Sequence, residues 1–316
     1  MNNILYRHYL PGDEAKIVRL WNDCLTKDPV TAGRLRNLVL LDPNFDPEGL
    51  WLAFAGDQLV GCVYAVRRLL PMYSTDLESD NGWIPFFFVD PTFRRRGIAI
   101  RLFEEAFNFF RKTGRKNVFF ASYAPNYILP GIDEEAYPEG YRLLLNLGFE
   151  VQYSPVSMVR SLVGYEIPKE VKELKKRREQ EGYTFRRTQD SDLYQLIQLA
   201  NRFHPDWGRA VREGILQGLP LQRIWVARDE RSVVGFCLYG GYEGIPERFG
   251  PFGVDPEERG KGIGKILLCE CLQAMRSESL HSAWFLWTSE QSAAGHLYKW
   301  AGFKVTRKFH VMKKTL

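Results

Sequence analysis

Two short stretches of the chain have the residue types to hold a phosphorylated ligand. Arg259-Gly260-Lys261-Gly262-Ile263-Gly264-Lys265 follows Val254-Asp255-Pro256, and Arg94-Arg95-Arg96-Gly97-Ile98-Ala99 follows Val89-Asp90-Pro91. In each, proline stops an extended run and glycine lets the backbone come close to a ligand. An apolar-periodic stretch begins directly behind, so each loop opens a helix whose first N–H groups are unpaired and lie at the positive end of the helix dipole. Such a terminus cradles a diphosphate, and the neighbouring Arg and Lys residues add charge at its edge. A Walker loop needs GxxxxGK[ST], which is absent. A dinucleotide turn needs GxGxxG directly after a strand, and Gly262 and Gly264 come too late for it. The pattern that is met is [Arg/Gln]xxGx[Gly/Ala] behind V-x-P, by Arg259, Gly262 and Gly264 and again by Arg94, Gly97 and Ala99.

The elements that position these loops repeat as well. FFFVDPTFRRRGIAIRLF from Phe86 reads against PFGVDPEERGKGIGKILL from Pro251, about 165 residues later. Behind the loops, Ile98, Leu102, Phe103, Ala106, Phe107 and Phe110 stand opposite Ile263, Leu267, Leu268, Cys271, Leu272 and Met275. Their three- and four-residue steps are those of an amphipathic helix on a sheet. Other pieces pair in the same order: LYRHYLPGDEAKIVRLW with YTFRRTQDSDLYQLIQLA, LWLAFAGDQLVGCVYAVRR with RIWVARDERSVVGFCLYGG, and LLLNLGFEV with LYKWAGFKV. Each half therefore runs strand, helix, hairpin, strand, loop, helix, strand, helix, strand. The fold class is α/β of the α+β type, with helices covering a mixed, largely antiparallel sheet in each of two tandem domains. Residues 1–163 and 183–316 are the expected domains, and 164–182, dense in Lys, Arg and Glu, is the expected linker, a solvated helix. The first half carries extra residues from Tyr123 to Gly140, an insertion expected as a surface loop with substrate contacts.

At the two loops the sequence resembles the GNAT superfamily of N-acetyltransferases, whose corresponding loop binds the pyrophosphate of acetyl-CoA. The resemblance extends over nearly the whole chain outside the linker, and the tandem arrangement is similar to that of mycothiol synthase. It implies acetyl-CoA as co-substrate, a primary amine as acceptor and direct attack in a ternary complex. It implies that a backbone N–H near Val254 and Val89 binds the thioester carbonyl, where it would stabilise the oxyanion. It also implies a tyrosine on the helix before the GF pair that donates a proton to the departing sulfur. That residue is Tyr298 in the second half, whereas the first half has Leu144 there, with Tyr141 one turn earlier. The second half is thus expected to be catalytic, with the first degenerate. An amine must shed a proton before attack, and Glu243 or Glu247 is the general-base candidate by position alone. His204 and His296 read as structural or surface residues, and Trp284, Trp287 and Trp300 as core of the second half.

Composition agrees and excludes little. The 316 residues are 45% hydrophobic and 26% charged, a globular balance, and the formal charge of +5 suits an anionic co-substrate. Cys24, Cys62, Cys237, Cys269 and Cys271 form no CxxC pair, so buried reduced thiols are expected and no metal. The N-terminal residues show no basic and apolar leader, and no apolar run approaches the ~20 residues that span a bilayer, so a soluble, cytoplasmic chain is expected. A non-catalytic acyl-CoA-binding or interaction module is the rival class. Nucleic-acid binding through Arg94 to Arg96 is the weaker third, because the same arginines stand where phosphates of CoA would.

Overall fold

The computed structural model describes residues 4–316. Met1 to Asn3, where the segment read for a leader begins, lie outside the described residues. The order of elements is β1 (Ile4–His8), α1 (Glu14–Cys24), α2 (Ala32–Leu35), β2 (Leu50–Ala55), β3 (Gln58–Val66), β4 (Asn81–Val89), α3 (Ile98–Lys112), β5 (Asn117–Phe120), α4 (Pro138–Asn146), β6 (Glu150–Tyr153) and β7 (Val156–Ser161). It continues with α5 (Lys169–Gln180), β8 (Thr184–Arg187), α6 (Leu193–Phe203), α7 (Pro205–Leu216), β9 (Ile224–Arg228), β10 (Val233–Tyr239), β11 (Phe249–Val254), α8 (Ile263–Ser277), β12 (Ser282–Thr288), α9 (Ala293–Trp300), β13 (Lys304–Lys308) and β14 (Val311–Thr315).

These elements form two compact units that divide the chain at different places from the expected 163 and 183. The first unit holds residues through Pro71, Thr75–Pro155 and Lys308–Leu316; the second holds Met72–Ser74 and Val156–Arg307. In the first, one sheet runs β1-β2-β3-β4-β5-β14-β6, antiparallel except for the parallel pair β4 and β5. In the second, β11-β10-β9-β8 and β12-β7-β13 form two sheets, bridged in parallel between Arg248 and Trp284. The second unit thus opens with β7, and the first regains its last strand, β14, from beyond the second. β14 enters the first sheet, with Met312 opposite Phe120, and β7 enters the second, with Met158 opposite Phe285. Val156-Ser157-Met158 and Val311-Met312 are both short apolar strands behind a Gly-Phe strand, so local pattern does not choose their partners.

The helical phase read from sequence is the packed one. Ile98, Leu102, Phe103, Ala106, Phe107 and Phe110 on α3 are all buried, as are Ile263, Leu267, Leu268, Cys271, Leu272 and Met275 on α8. α5 departs from the solvated helix expected for the linker. Val171 is buried and Leu174, Lys175 and Arg178 half-buried, a stripe at helical spacing that the surrounding charges mask in the sequence. Lys175 pairs with Glu270 on α8 at 2.7 Å, and Arg178 Nε donates to the Lys261 carbonyl at 2.7 Å. All five cysteines are free and buried. Among the described residues, no helix is long and apolar enough to cross a membrane, and no cluster of His, Cys, Asp and Glu could hold a metal ion.

Candidate functional site

In the first unit, β4 and β5 run side by side only from Asn81 opposite Asn117 to Ile84 opposite Phe120. Beyond that point β4 carries an extra residue relative to β3, at Ile84-Pro85, between the pairs Val66–Trp83 and Tyr64–Phe86. A bulge turns a strand aside from its neighbour. The Asp90 N–H bonds to the Val60 carbonyl on the β3 side. By the alternation of an antiparallel ladder, the N–H groups of Phe87 and Val89 then face the other way, into the gap beside β5. The bulge lies several residues before Val89, earlier than the sequence placed it. The second unit repeats it at Gly250-Pro251, between the pairs Cys237–Phe252 and Tyr239–Phe249.

The first-unit gap widens into a pocket of about 910 Å³, walled by Phe86 to Val89, Arg94, Arg95, Gly97 to Ile100 and Phe120. The Tyr123 to Gly140 insertion supplies the facing wall from Ile128 to Gly140, and α1 adds Trp21 and Cys24. Gly97 caps α3 with φ of 79°, left-handed backbone that suits glycine. A Cβ built there meets nothing within 4 Å. The N–H groups of Gly97, Ile98, Ala99 and Ile100 are the ones α3 leaves unpaired. Arg94 Nε donates to the Val89 carbonyl at 3.2 Å, and its Nη1 pairs with Glu139 at 3.0 Å. Arg96 is turned onto its own loop, donating to the Thr92 carbonyl at 3.0 Å over the Phe93 ring. Burial pushes the Cys24 thiol up to about 11.

The second-unit loop has the same backbone and different surroundings. Gly262 has φ of 80°, but a Cβ built on it would come within 2.6 Å of Leu174 on α5. Lys261 Nζ is drawn to Tyr183 Oη and Glu258 Oε1, both at 2.9 Å, and these two partners raise its pKa. Lys265 lies over the ring of Trp300, 3.9 Å from its centroid. Trp300 is 41% exposed rather than core. Arg259 and Gly260 are exposed, whereas Ile263 is buried and Gly264 and Val254 half-buried.

Tyr298, the expected proton donor, is 7% exposed, with Phe249, Phe252, Phe285 and Phe303 around its ring. That burial raises its phenol pKa. Glu243 is bound to the buried Arg248 at 2.6 Å. The Glu247 carbonyl accepts from the Trp284 N–H at 3.0 Å. His204 caps α7, its Nδ1 accepting from the Asp206 N–H. In the first unit Leu144 is core and Tyr141 packs on His310.

The sequence reading missed Tyr137. It lies just before α4 and lines the pocket, and its hydroxyl donates to Asp28 Oδ2 at 2.6 Å. Asp28 is 9% exposed, and its carbonyl accepts from the Trp21 indole. The signal available was the insertion itself. Nothing in it marks which tyrosine faces inward or that Asp28, 109 residues earlier, meets it.

Twice over, a strand bulges away from its neighbour and feeds a V-D-P loop and a glycine-capped helix, the architecture of acetyltransferase domains. Residues 15–128 match the acetyltransferase (GNAT) family, and residues 220–305 match the acetyltransferase (GNAT) domain. The chain belongs to the GNAT superfamily in its tandem, two-domain form.

Solved structures share the fold. One is the region of a fungal multi-domain GH3 β-N-acetylglucosaminidase described as a GCN5-related glucosamine N-acetyltransferase, 18% identical with a TM-score of 0.81. That match covers 99% of this chain, which spans only 38% of the fungal one. A GCN5-related N-acetyltransferase from Sphaerobacter thermophilus is 18% identical over 99% of this chain and 95% of its own, with a TM-score of 0.69. A tandem GNAT protein from the clavulanic acid biosynthesis pathway is 16% identical over 99% and 98%, with a TM-score of 0.66. No curated protein sequence matches the chain.

Proposed function

We propose that the chain is an acetyl-CoA-dependent N-acetyltransferase that works in its first unit, and that the second unit is a structural relative of it with a covered loop. The observation that carries this reading is the contrast between Gly97, open beside a pocket of about 910 Å³, and Gly262, covered by Leu174. It moves the expected active half from second to first. Tyr298 and Glu243 are engaged in core and ion-pair contacts, which supports the same choice.

The pocket fits the co-substrate by its donors. The unpaired amides of Gly97 to Ile100 suit the pyrophosphate, with Arg94 and Arg95 as counter-charge. The Phe87 and Val89 N–H groups line the gap where an extended pantetheine arm would pair with β4, and one of them is placed to polarise the thioester carbonyl. Acetyl-CoA supplies the activated acyl group. The insertion and α1 form the acceptor side, where the family implies a primary amine. Five free, buried cysteines agree with a reducing compartment, the cytoplasm.

A screen of acetyl-CoA with an amine panel, read as free CoA thiol, tests the reading. Wild type and Gly262→Ala should release thiol, and Gly97→Val, folded by circular dichroism, should not. Turnover that survives Gly97→Val and is lost in Gly262→Ala would return the site to the second unit.

A further inference from the structure

The first-unit pocket lacks the tyrosine its family leads one to expect on α4, where Leu144 is core. It has instead a phenol from the insertion, Tyr137, bound to a carboxylate from the α1–α2 segment, Asp28, at 2.6 Å. A phenol has one proton to donate. With that proton directed at a carboxylate, the Tyr137 oxygen keeps its lone pairs, with which it accepts rather than donates. The pair is therefore arranged to take a proton from an incoming group, opposite in direction to a donor for a departing sulfur.

The rest of the pocket wall leaves this duty to the pair. Its other ionisable side chains are Cys24, Arg94, Arg95, Glu139 and Arg142. Burial holds the Cys24 thiol protonated, to about 11. Glu139 is ion-paired with Arg94, and guanidinium groups do not give up their protons near neutrality. Asp133, beneath the same segment, is buried and accepts from the Ala136 N–H at 3.0 Å. The same pocket wall carries Trp21, Phe86, Phe88, Ile128, Leu129 and Ile132, and a charge-assisted hydrogen bond is stronger in such low-dielectric surroundings.

We infer that Asp28 and Tyr137 form the proton-accepting relay for the acceptor amine, which rests on the reading of the first-unit pocket as the acetyl-transfer site. The nitrogen bonds to the thioester carbonyl carbon, and its surplus proton passes to the Tyr137 oxygen as the phenol proton passes to Asp28. The carbon–sulfur bond breaks with its electron pair on sulfur. Asp28 then returns its proton to solvent. Tyr137 is the member that meets the amine, and Asp28 acts through it as a positioning and proton-storing residue.

The test uses the full chain with acetyl-CoA and the fastest acceptor among phenethylamine, benzylamine and glucosamine. Asp28→Asn and Tyr137→Phe should each lower kcat by about 10²–10⁴-fold, the range of general acid–base assistance. Calorimetric affinity for acetyl-CoA should stay within about two-fold of wild type. The double variant should be no slower than the slower single one, because a relay fails as a unit. A readout independent of turnover comes from 13Cζ-tyrosine labelling. The resonance missing in Tyr137→Phe should move in Asp28→Asn, and an unmoved resonance means that the pair is not bonded in solution and overturns the relay. Turnover by wild type with kcat intact in Asp28→Asn likewise overturns it. Wild type inactive on every amine overturns the reading of the pocket and the relay with it.

Discussion

Leu174 occupies the space beside Gly262 that the corresponding position of the first unit leaves empty. A Cβ on Gly262 would stand 2.6 Å from Leu174 Cδ2, whereas one on Gly97 meets nothing within 4 Å. The two glycines share φ, 80° and 79°, so the difference comes from what lies against the loop rather than from the loop. α5 brings Leu174 there as one residue of a stripe with Val171 and Arg178, and Arg178 fixes the contact by bonding the Lys261 carbonyl. The side of Gly262 on which a Cβ would stand is filled by protein, and the same side of Gly97 is open.

One acetyl-CoA per chain is the first expected outcome. Native mass spectrometry at saturating acetyl-CoA should show a single ligand, lost in Gly97→Val and kept in Gly262→Ala. The alanine at Gly262 enters left-handed backbone and a filled space, so it should cost about 1–3 kcal/mol of stability. Two ligands per wild-type chain would show that α5 yields to the second.

Leu174→Ala should destabilise the protein by about 1–2 kcal/mol, below the range for a fully buried leucine because this one is half-buried. Acetyl-CoA affinity should be unchanged. Urea unfolding followed by tryptophan fluorescence, with calorimetry of the folded variant, reads both. An affinity change of ten-fold or more would mean that α5 bears on the first-unit site.

Much of this was legible in the residues themselves. The V-D-P turns and their glycines located both loops, and the steps from Ile98 to Phe110 and from Ile263 to Met275 gave the buried helix faces. The destinations of β7 and β14 were hidden because strand pairing is a long-range choice between similar partners. Which loop is open was hidden for a related reason. Leu174 is one apolar residue in a run of charges, and its meaning appears only when α5 is seen against α8. Tyr137 and Asp28 are joined by folding across 109 residues, a distance that no spacing rule crosses.

Tyr298→Phe should leave turnover within about two-fold of wild type, since the ring is packed among phenylalanines in the unit with the covered loop. Steady-state kinetics with the best amine decide it. A loss of 10²-fold or more, the size of a general-acid contribution, would restore Tyr298 to the chemistry.

Arg94→Gln should weaken acetyl-CoA binding by about ten-fold and flatten its salt dependence. Arg94 lines the pocket with its side chain 39% exposed and ion-paired with Glu139, where attraction to phosphate is partly screened by ions. Calorimetry at 50 and 300 mM salt, values chosen on the order of the screening range, gives both numbers. Equal affinity of variant and wild type would remove Arg94 from the phosphate contacts.

Cys24 sets a pH dependence that can be signed. Burial lifts its pKa to about 11 from the ordinary thiol value of 9.0, so the folded chain holds this proton more tightly than the unfolded one. The resulting stabilisation is fully present below about pH 9. It is lost as pH rises toward 11, because the unfolded thiol ionises first and draws the equilibrium toward it. Cys62 and Cys237 are shifted in the same direction by burial and add to the slope. Cys24→Ala should therefore lose less stability than wild type between pH 9 and 11 when each is referred to its own value at pH 8. Denaturant unfolding at pH 8, 9, 10 and 11, steps chosen about the window that linkage sets, measures the difference. Because Cys24 also lines the pocket, iodoacetamide should alkylate it slowly at pH 8 and more slowly still with acetyl-CoA bound. Identical pH slopes in the two proteins, or alkylation at the rate of free cysteine, would show a thiol that solvent reaches freely.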